Sequence, residues 1–217
     1  MESQEAKRRM KDKYNFGILG CGNIGIRHCD VLSSQPDAKL VAVCDPVKEK
    51  ADALATKFGV KAYYDYDEFL RDDEVDVVSI CTPSGMHAEQ TIAAANAKKH
   101  VVCEKPMALS LEDCDAMINA CSRNNVRLFV VKQNRHNEPI RILKEAIDKE
   151  KLGRIYMINA NVLWNRTDLY YKQANWRGTR ALDGGALMNQ SAHFVDLVHW
   201  LGGNVKKVYS QIIVWIK

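Results

Sequence analysis

The stretch Gly20-Cys21-Gly22-Asn23-Ile24-Gly25, a GxGxxG pattern, decides the fold. It directly follows an apolar run at Asn15–Leu19 and leads into a helical pattern at Ile24–Ser33. In such a strand, turn and helix, the first glycine permits the tight turn and the second lets a diphosphate approach the backbone. The third lets the helix pack closely on the strand. The motif therefore predicts a dinucleotide site at the start of the chain, with the helix N-terminus facing the phosphates.

Up to about residue 136, short apolar runs alternate with amphipathic stretches, which is typical of a parallel sheet flanked by helices. The predicted strands are Asn15–Leu19, Leu40–Cys44, Lys61–Tyr64, Val75–Cys81, His100–Cys103 and Arg127–Lys132. The predicted helices are Ile24–Ser33, Lys48–Phe58, His87–Lys98 and Leu111–Asn124, the last capped by Ser110 with Asp113. The fold class is thus α/β, with a Rossmann dinucleotide-binding domain over residues 14–136.

The end of the second predicted strand indicates which dinucleotide binds. Asp45 lies 20 residues beyond Gly25, where a carboxylate can accept both ribose hydroxyls of NAD and repel a 2′-phosphate. Lys48 and Lys50 leave NADP open, and a glycine-rich turn of another α/β protein is the alternative to a dinucleotide site. We predict NAD, bound in part by Gly20, Gly22, Asn23, Ile24 and Asp45.

The texture of the sequence changes after residue 136. A helix at Pro139–Glu150 precedes an alternating segment, Arg154–Trp164, that predicts a strand with one open face. After an aromatic loop, Asp183-Gly184-Gly185 introduces an apolar helix up to Leu201, and a final strand is predicted over Val205–Ile216. We assign residues 137–217 to a partial α+β substrate and oligomerisation domain.

Composition narrows the class of protein. The chain has 217 residues, 47% hydrophobic and 27% charged, the balance of a soluble globular protein. Residues 1–13, a predicted flexible basic tail, carry five basic and three acidic side chains, and the remainder is nearly neutral, which argues against nucleic acid as a partner. No apolar run predicts a membrane span or a signal peptide, so we expect a cytoplasmic protein. The seven cysteines lack metal-binding spacing, and we expect no metal and reduced, mostly buried thiols.

Three further segments carry a family resemblance: Cys81-Thr82-Pro83-Ser84 with His87, Glu104-Lys105-Pro106, and Gly184 to His193, sequence GGALMNQSAH. In this order, behind the glycine motif, they resemble the glucose-fructose oxidoreductase/inositol dehydrogenase (Gfo/Idh/MocA) family over residues 14–217. The resemblance implies oxidation of a sugar hydroxyl to a ketone with NAD, and a Lys105–Pro106 bond that is often cis. It also implies a larger second domain with a mostly antiparallel open sheet through which relatives form homo-oligomers. On this comparison the chain looks C-terminally truncated, and we expect it to bind NAD but to associate abnormally or be poorly soluble.

The loops of the second half suggest a finer resemblance, to family members that oxidise sugar nucleotides. It rests on Gln133-Asn134-Arg135, Trp164-Asn165-Arg166, Tyr170-Tyr171, Trp176-Arg177-Gly178 and Ala186-Leu187-Met188-Asn189-Gln190-Ser191. This resemblance implies oxidation at C3 of a UDP-N-acetyl-aminouronic acid in surface-polysaccharide biosynthesis. Two alternatives stay open: a polyol or hexose dehydrogenase of the same family, and a non-catalytic NAD-binding redox sensor.

Lys105 and His193 are the catalytic candidates. Lys105 follows the carboxyl end of a strand, in the crevice where open α/β sheets bind ligands, and burial there would favour its use as an acid/base. His193 lies four residues after Asn189, where many relatives carry aspartate; this favours Lys105 as the base, and Asp196 could pair with His193 instead. The resemblance adds as cofactor contacts Thr82, Pro83, Ser84, His87, Glu104, Lys105, Trp176 and Arg177. The substrate candidates are Lys105, Gln133, Arg135, Arg166, Tyr170, Asn189, Gln190 and His193.

Overall fold

The computed structural model describes residues 13–211. Its strands are β1 (Tyr14–Leu19), β2 (Ala38–Cys44), β3 (Lys61–Tyr63), β4 (Val77–Ile80), β5 (His100–Cys103) and β6 (Leu128–Val130). Its α-helices are α1 (Asn23–Leu32), α2 (Lys48–Phe58), α3 (Tyr66–Leu70), α4 (His87–Asn96), α5 (Leu111–Arg123), α6 (Glu138–Asp148), α7 (Asp168–Lys172), α8 (Ala186–Asn189) and α9 (Ala192–Gly202).

The six strands form one sheet in the order β3-β2-β1-β4-β5-β6. All five pairings are parallel. The chain winds outward from β1 in one direction and then from β4 in the other, so a crevice opens at the carboxyl ends of these two neighbouring strands. The predicted α/β Rossmann arrangement and all six of its strands are confirmed.

The core explains why these runs form strands. Ile18, Val43, Val78 and Val101 come from the four central strands and are all fully buried, as expected of a sheet covered on both faces. Six of the seven cysteines are buried and none is in a disulfide, which confirms the prediction of reduced, buried thiols. Burial raises the pKa of Cys21 and of Cys44 to about 12, so these side chains act as small apolar residues.

Two helix starts show how local chemistry sets element boundaries. The Ser110 hydroxyl accepts from the Asp113 amide at 3.0 Å, confirming the predicted cap of α5. The sequence did not predict α3, which begins after Asp65; the Asp65 carboxylate accepts from the Glu68 amide at 2.9 Å. Five residues are too few to show a helical period, and α3 is fixed by its cap and by fully buried Phe69.

The structure corrects the prediction for the second half of the chain. The 154–164 segment forms no strand, and neither does 205–211; residues 212–217, the rest of the predicted final strand, lie outside the described residues. The only sheet within 13–211 is the parallel one, so no mostly antiparallel second sheet is present there. A strand exists only through pairing with a neighbour, and Tyr156 and Leu163 are 85% and 93% exposed. Ile158 and Trp164 contact α9, at Gly202 and Phe194, but no neighbouring strand pairs with the segment in the described residues.

Two other predicted features need comment. The apolar helix is broken into α8 and α9 at Gln190 and Ser191, so Asn189 and His193 do not share one continuous helix. Of the predicted tail, residues 1–12 lie outside the described part of the chain, and its flexibility stays a prediction.

The glycine motif yields a stability prediction. A Cβ added at Gly25 would lie 1.9 Å from the carbonyl oxygen of Gly20, whereas one at Gly22 would meet nothing within 4 Å. Gly25→Ala should therefore force α1 off β1 and cost about 1–3 kcal/mol or more in the free energy of unfolding. Gly22→Ala, the matched control in the same loop, should unfold at the wild-type urea concentration. Equal midpoints for both variants would contradict the packing assigned to Gly25.

Candidate active site

The chemistry-bearing segments meet at one edge of the sheet. The glycine loop follows β1, Asp45 follows β2, Cys81–Ser84 follows β4 and Glu104–Pro106 follows β5. Because parallel strands present their carboxyl ends at the same edge, residues far apart in sequence come together there.

The glycine loop and Asp45 form the first part of the site. Gly22 is the N-terminal boundary of α1, is exposed, and no side chain caps the helix. One Asp45 oxygen accepts from the Cys21 amide at 2.8 Å and the other from the Val47 amide at 2.9 Å. The loop thus offers open backbone at a helix N-terminus beside a fixed, buried carboxylate. These features fit the diphosphate and a ribose of a dinucleotide.

The segment after β4 is braced from inside the protein. His87 is 1% exposed, and its Nδ1 and Nε2 lie 2.8 Å and 3.0 Å from the carbonyl oxygens of Pro106 and Thr82. It therefore ties this segment to the one after β5, rather than facing the crevice. The Thr82 hydroxyl donates to Gln90, and Ser84 is buried.

Lys105 lies where the first and second halves of the chain meet. The Lys105–Pro106 peptide bond is cis, as the resemblance implied. The Lys105 Nζ donates to two atoms of Asn189, the carbonyl oxygen at 2.9 Å and the side-chain Oδ1 at 2.8 Å. Burial lowers the pKa of Lys105 from its ordinary 10.5, opposed by the nearby carboxylates of Glu104 and Asp183. The chain thus holds a lysine poised to lose its proton more readily than a free one.

Asp183 fixes the orientation of the Asn189 side chain. The side-chain nitrogen of Asn189, Nδ2, donates to Asp183 Oδ1, and both residues are buried. The other Asp183 oxygen accepts from the Gly178 amide at 2.7 Å. Because Asn189 must use its nitrogen on Asp183, its oxygen points at Lys105, which fixes the direction of the lysine.

His193 is the second titratable group near Lys105. It is 8% exposed, and its Nε2 lies 3.4 Å from the Gln133 amide nitrogen. An amide N–H can only donate, so this contact leaves Nε2 as an acceptor. Burial, reinforced by the charge of Lys105, lowers the pKa of His193 from its ordinary 6.5. These surroundings therefore favour the neutral form of His193.

Two predicted substrate arginines have different surroundings. Arg135 donates to both oxygens of Asp196, from Nε at 2.7 Å and from a terminal nitrogen at 2.6 Å. Asp196 thus pairs with Arg135, and the guanidinium fork is occupied within the protein. Arg166 is exposed and donates from Nε to the Gln190 oxygen at 2.9 Å. Within residues 13–211 no carboxylate forms a salt bridge with Arg166, so its charge stays available.

Aromatic rings lie against the guanidinium groups of Arg166 and Arg177. The Arg166 guanidinium lies 4.8 Å from the ring centres of both Trp164 and Tyr170, and that of Arg177 lies 4.0 Å from the Tyr170 ring. The Gln190 amide donates to the Tyr170 hydroxyl at 2.7 Å. The buried Nε of Arg177 has no hydrogen-bond partner within the described residues. Two guanidinium groups over one tyrosine ring place positive charge on this surface, which suits an anionic ligand.

The sequence did not single out three residues that organise this site: His28, Gln90 and Asp183. His28 bonds to Glu104, Gln90 to Thr82, and Asp183 to Asn189. A signal existed for His28, since it lies three residues after Gly25 and so on the helix face that packs against the sheet. Asp183 stands directly before two glycines, a pattern that predicts only the start of a helix.

Fold and site together define an α/β protein of the dinucleotide-binding oxidoreductase class. The oxidoreductase family with an NAD-binding Rossmann fold matches residues 14–132, and the Gfo/Idh/MocA C-terminal domain matches residues 140–215. The chain belongs to the Gfo/Idh/MocA family, and its first domain is the NAD-binding Rossmann domain of that family.

Solved structures and curated relatives agree with this assignment. The WlbA dehydrogenase from Bordetella pertussis, in complex with NADH and UDP-GlcNAcA, is 43% identical with a TM-score of 0.85, over 88% of this chain and 59% of that one. The WlbA dehydrogenase from Chromobacterium violaceum, with the same ligands, is 41% identical with a TM-score of 0.85, over 89% and 56%. The myo-inositol 2-dehydrogenase of Thermotoga maritima is 38% identical over 90% of this chain and 57% of its own length. The chain thus spans little more than half the length of these relatives.

The described residues contain neither a candidate membrane helix nor a candidate metal cluster. No helix within 13–211 is long and apolar enough to cross a membrane. No group of three or more histidine, cysteine or acidic side chains in that range could hold a metal ion.

The two arginines give a paired prediction. Arg135→Leu should lower the free energy of unfolding by about 1–2 kcal/mol, because it leaves the Asp196 carboxylate, only 10% exposed at its side chain, without its main partner. Arg166→Leu removes an exposed cation bound to no carboxylate and should leave stability within about 0.5 kcal/mol of wild type. Urea unfolding of the two variants measures both changes. A larger loss for Arg166→Leu than for Arg135→Leu would reverse the assignment.

Proposed function

We propose that the chain oxidises a hydroxyl of an anionic sugar nucleotide to a ketone, with NAD as cofactor and Lys105 as the main proton acceptor. The observation that carries the proposal is the fixed contact of Lys105 with Asn189 at the mouth of the NAD site. The substrate best supported is a UDP-N-acetyl-aminouronic acid oxidised at C3, as in surface-polysaccharide biosynthesis.

The cofactor site is formed by the loops at the carboxyl edge of the sheet. Gly20, Gly22, Asn23 and Ile24 would hold the diphosphate, and Asp45 a ribose. Thr82, Pro83, Ser84, Glu104 and Lys105 would surround the nicotinamide end, with His87 bracing them and Trp176 and Arg177 closing over. Bound NAD supplies the hydride acceptor.

The geometry of Lys105 suits proton transfer. A neutral amine has two N–H groups and one lone pair, and Asn189 supplies two acceptors for those N–H groups. The lone pair is then left for the substrate hydroxyl, and on accepting its proton the lysine keeps both bonds to Asn189. His193 would position the same hydroxyl, or share its proton if Nε2, the one acceptor nitrogen of the neutral ring, exchanges its contact with Gln133 for the substrate.

Charge around Lys105 supports an anionic substrate. Lys132 and Arg166 both act on Lys105 as nearby positive charges. Arg166 and Arg177, stacked on Tyr170, present guanidinium groups that can bind a carboxylate or diphosphate. Gln133 and Gln190 add amides to the same region. Arg135, paired with Asp196, would act by holding the 3-10 turn at Gln133–His136 against α9.

A polyol dehydrogenase is the second candidate, favoured by the 38% identity to a relative named myo-inositol 2-dehydrogenase. An uncharged polyol would gain little from the arginines stacked on Tyr170. A non-catalytic NAD-binding sensor would need neither the Lys105–Asn189 contact nor a neutral His193.

Replacing Lys105 tests its assigned role. Lys105→Ala should lower kcat by about 100-fold or more, because general-base catalysis is lost, while the Kd for NAD stays near wild type. Since burial lowers the pKa of Lys105, wild-type kcat/KM should rise with pH as the amine becomes neutral and level off below pH 10.5. Lys57→Ala, at an exposed ion pair on the surface, is the matched control. A loss under tenfold, with the pH limb retained in Lys105→Ala, would rule out Lys105 as the base.

A substrate panel tests the choice of sugar. NADH formation should be fastest with a UDP-N-acetyl-aminouronic acid, slower with the matching UDP-sugar that lacks the carboxylate, and absent with myo-inositol or a free hexose. Arg166→Leu should raise KM for the uronic acid by about tenfold, since one charge-assisted contact is lost. Activity on inositol alone would support the polyol dehydrogenase, and NAD binding without turnover on any sugar would support the sensor.

A further inference from the structure

A buried chain of polar groups joins the cofactor helix to the catalytic lysine. His28, on α1, lies with Nδ1 2.7 Å from the Ser79 hydroxyl of β4 and with Nε2 3.0 Å from Glu104 Oε1. The other Glu104 oxygen, Oε2, accepts from the backbone amide of Lys105 at 3.1 Å. Three separate elements are therefore connected through one imidazole.

The Glu104 carboxylate sets the roles of the other two groups. An ionised carboxylate is an acceptor only, so His28 Nε2 must donate to Glu104. In the neutral ring Nδ1 is then unprotonated and accepts from the Ser79 hydroxyl, which can donate or accept. Glu104 therefore selects the tautomer of His28, and Ser79 supplies the donor that this tautomer needs.

The arrangement has the order serine, histidine, carboxylate, but its setting excludes a nucleophile. Ser79 is 1% exposed and lies in the middle of a central strand, so no substrate reaches its hydroxyl. Glu104 is 6% exposed, and the His28 side chain is 17% exposed. The group thus acts inside the protein, on what Glu104 contacts.

Glu104 affects Lys105 in two ways. Its carboxylate fixes the lysine backbone, and its charge opposes the loss of the ammonium form, as does that of Asp183 from the other side. Lys132 and Arg166 act in the opposite sense. Hydrogen bonding by His28 in turn holds Glu104 ionised despite its burial, lowering the pKa of that carboxyl. The charge beside Lys105 is therefore placed by a residue of the cofactor helix.

We propose that His28 is a positioning residue that clamps the Glu104 carboxylate and so ties the geometry of Lys105 to the helix whose N-terminus holds the cofactor. The proposal rests on the role of Lys105 in the proposed function. Without the clamp, the buried Glu104 carboxylate would turn toward water and release the segment that carries Lys105.

Two similar substitutions of His28 distinguish a hydrogen-bonding role from a role in packing alone. His28→Gln places an amide N–H near the position of Nε2, where it can still donate to Glu104. His28→Asn places its amide near the position of Nδ1, beside Ser79, and leaves Glu104 without a donor. A Glu104→Gln variant removes the charge of the carboxylate. The shift it causes in the Lys105 titration midpoint measures the whole effect of that charge.

The first measurement is made on the purified chain without NAD or sugar. The 13Cε shift of Lys105 is followed against pH by NMR in lysine-labelled protein and assigned with Lys105→Arg. Glu104→Gln should lower the titration midpoint of Lys105 by about one pH unit, the effect of losing one nearby opposite charge. His28→Asn should lower it in the same direction by at least half as much, whereas His28→Gln should stay close to wild type.

The second measurement is kinetic. His28→Asn should reduce kcat about tenfold or more, with KM for the sugar and the Kd for NAD little changed, and His28→Gln should restore most of the loss. An unchanged Lys105 midpoint in His28→Asn, or the same midpoint and kcat in both His28 variants, would overturn the proposal. If His28→Asn does not fold, an unchanged Lys105 midpoint in Glu104→Gln overturns it equally. The NMR titration needs no substrate. A chain inactive on every sugar would therefore contradict the proposed function, while the titration would still test the role of His28.

Discussion

The site depends on how closely α1 lies on the turn after β1. The gap between Gly25 and the Gly20 carbonyl excludes even a methyl group. At that separation the N-terminus of α1 opens directly above the carboxyl ends of the strands. One turn further along, His28 reaches Ser79 and Glu104 within hydrogen-bond distance. A looser helix would lose both the phosphate site and the contact to the segment that carries Lys105.

Specific polar contacts attach the second half of the chain to this edge. The Gly85 amide donates to the Leu182 carbonyl at 3.1 Å, and a Cβ on Gly85 would lie 2.1 Å from the Ala181 oxygen. Asp183 then holds Asn189, and Asn189 holds Lys105. The geometry of the site depends on these few directional bonds, each of which fixes the donor of the next.

The sequence predicted the parallel sheet because its strands are continuous apolar runs and its first turn has a distinctive glycine spacing. It predicted Lys105 and His193 because motifs mark them. The predicted strand at Arg154–Trp164 is wrong. The two-residue alternation is present there, but a strand also needs a neighbouring strand to pair with, and the pattern of one segment does not show whether that neighbour exists. Contacts such as Arg135 with Asp196, 61 residues apart, or His28 with Glu104, 76 apart, are set by the tertiary fold, and no local pattern identifies the partner.

The neutral partner of Lys105 changes what the lysine can do. An aspartate at position 189, such as the resemblance expects in many relatives, would add a carboxylate to those of Glu104 and Asp183 and favour the ammonium form. Asn189 gives the same two acceptor contacts without that charge. Two carboxylates are then offset by Lys132 and Arg166, and desolvation becomes the largest influence on the Lys105 pKa. This balance favours Lys105 as the proton acceptor of the proposed reaction. The charge of Glu104 opposes the lowering of the Lys105 pKa and so helps the lysine to hold a proton once it has accepted one.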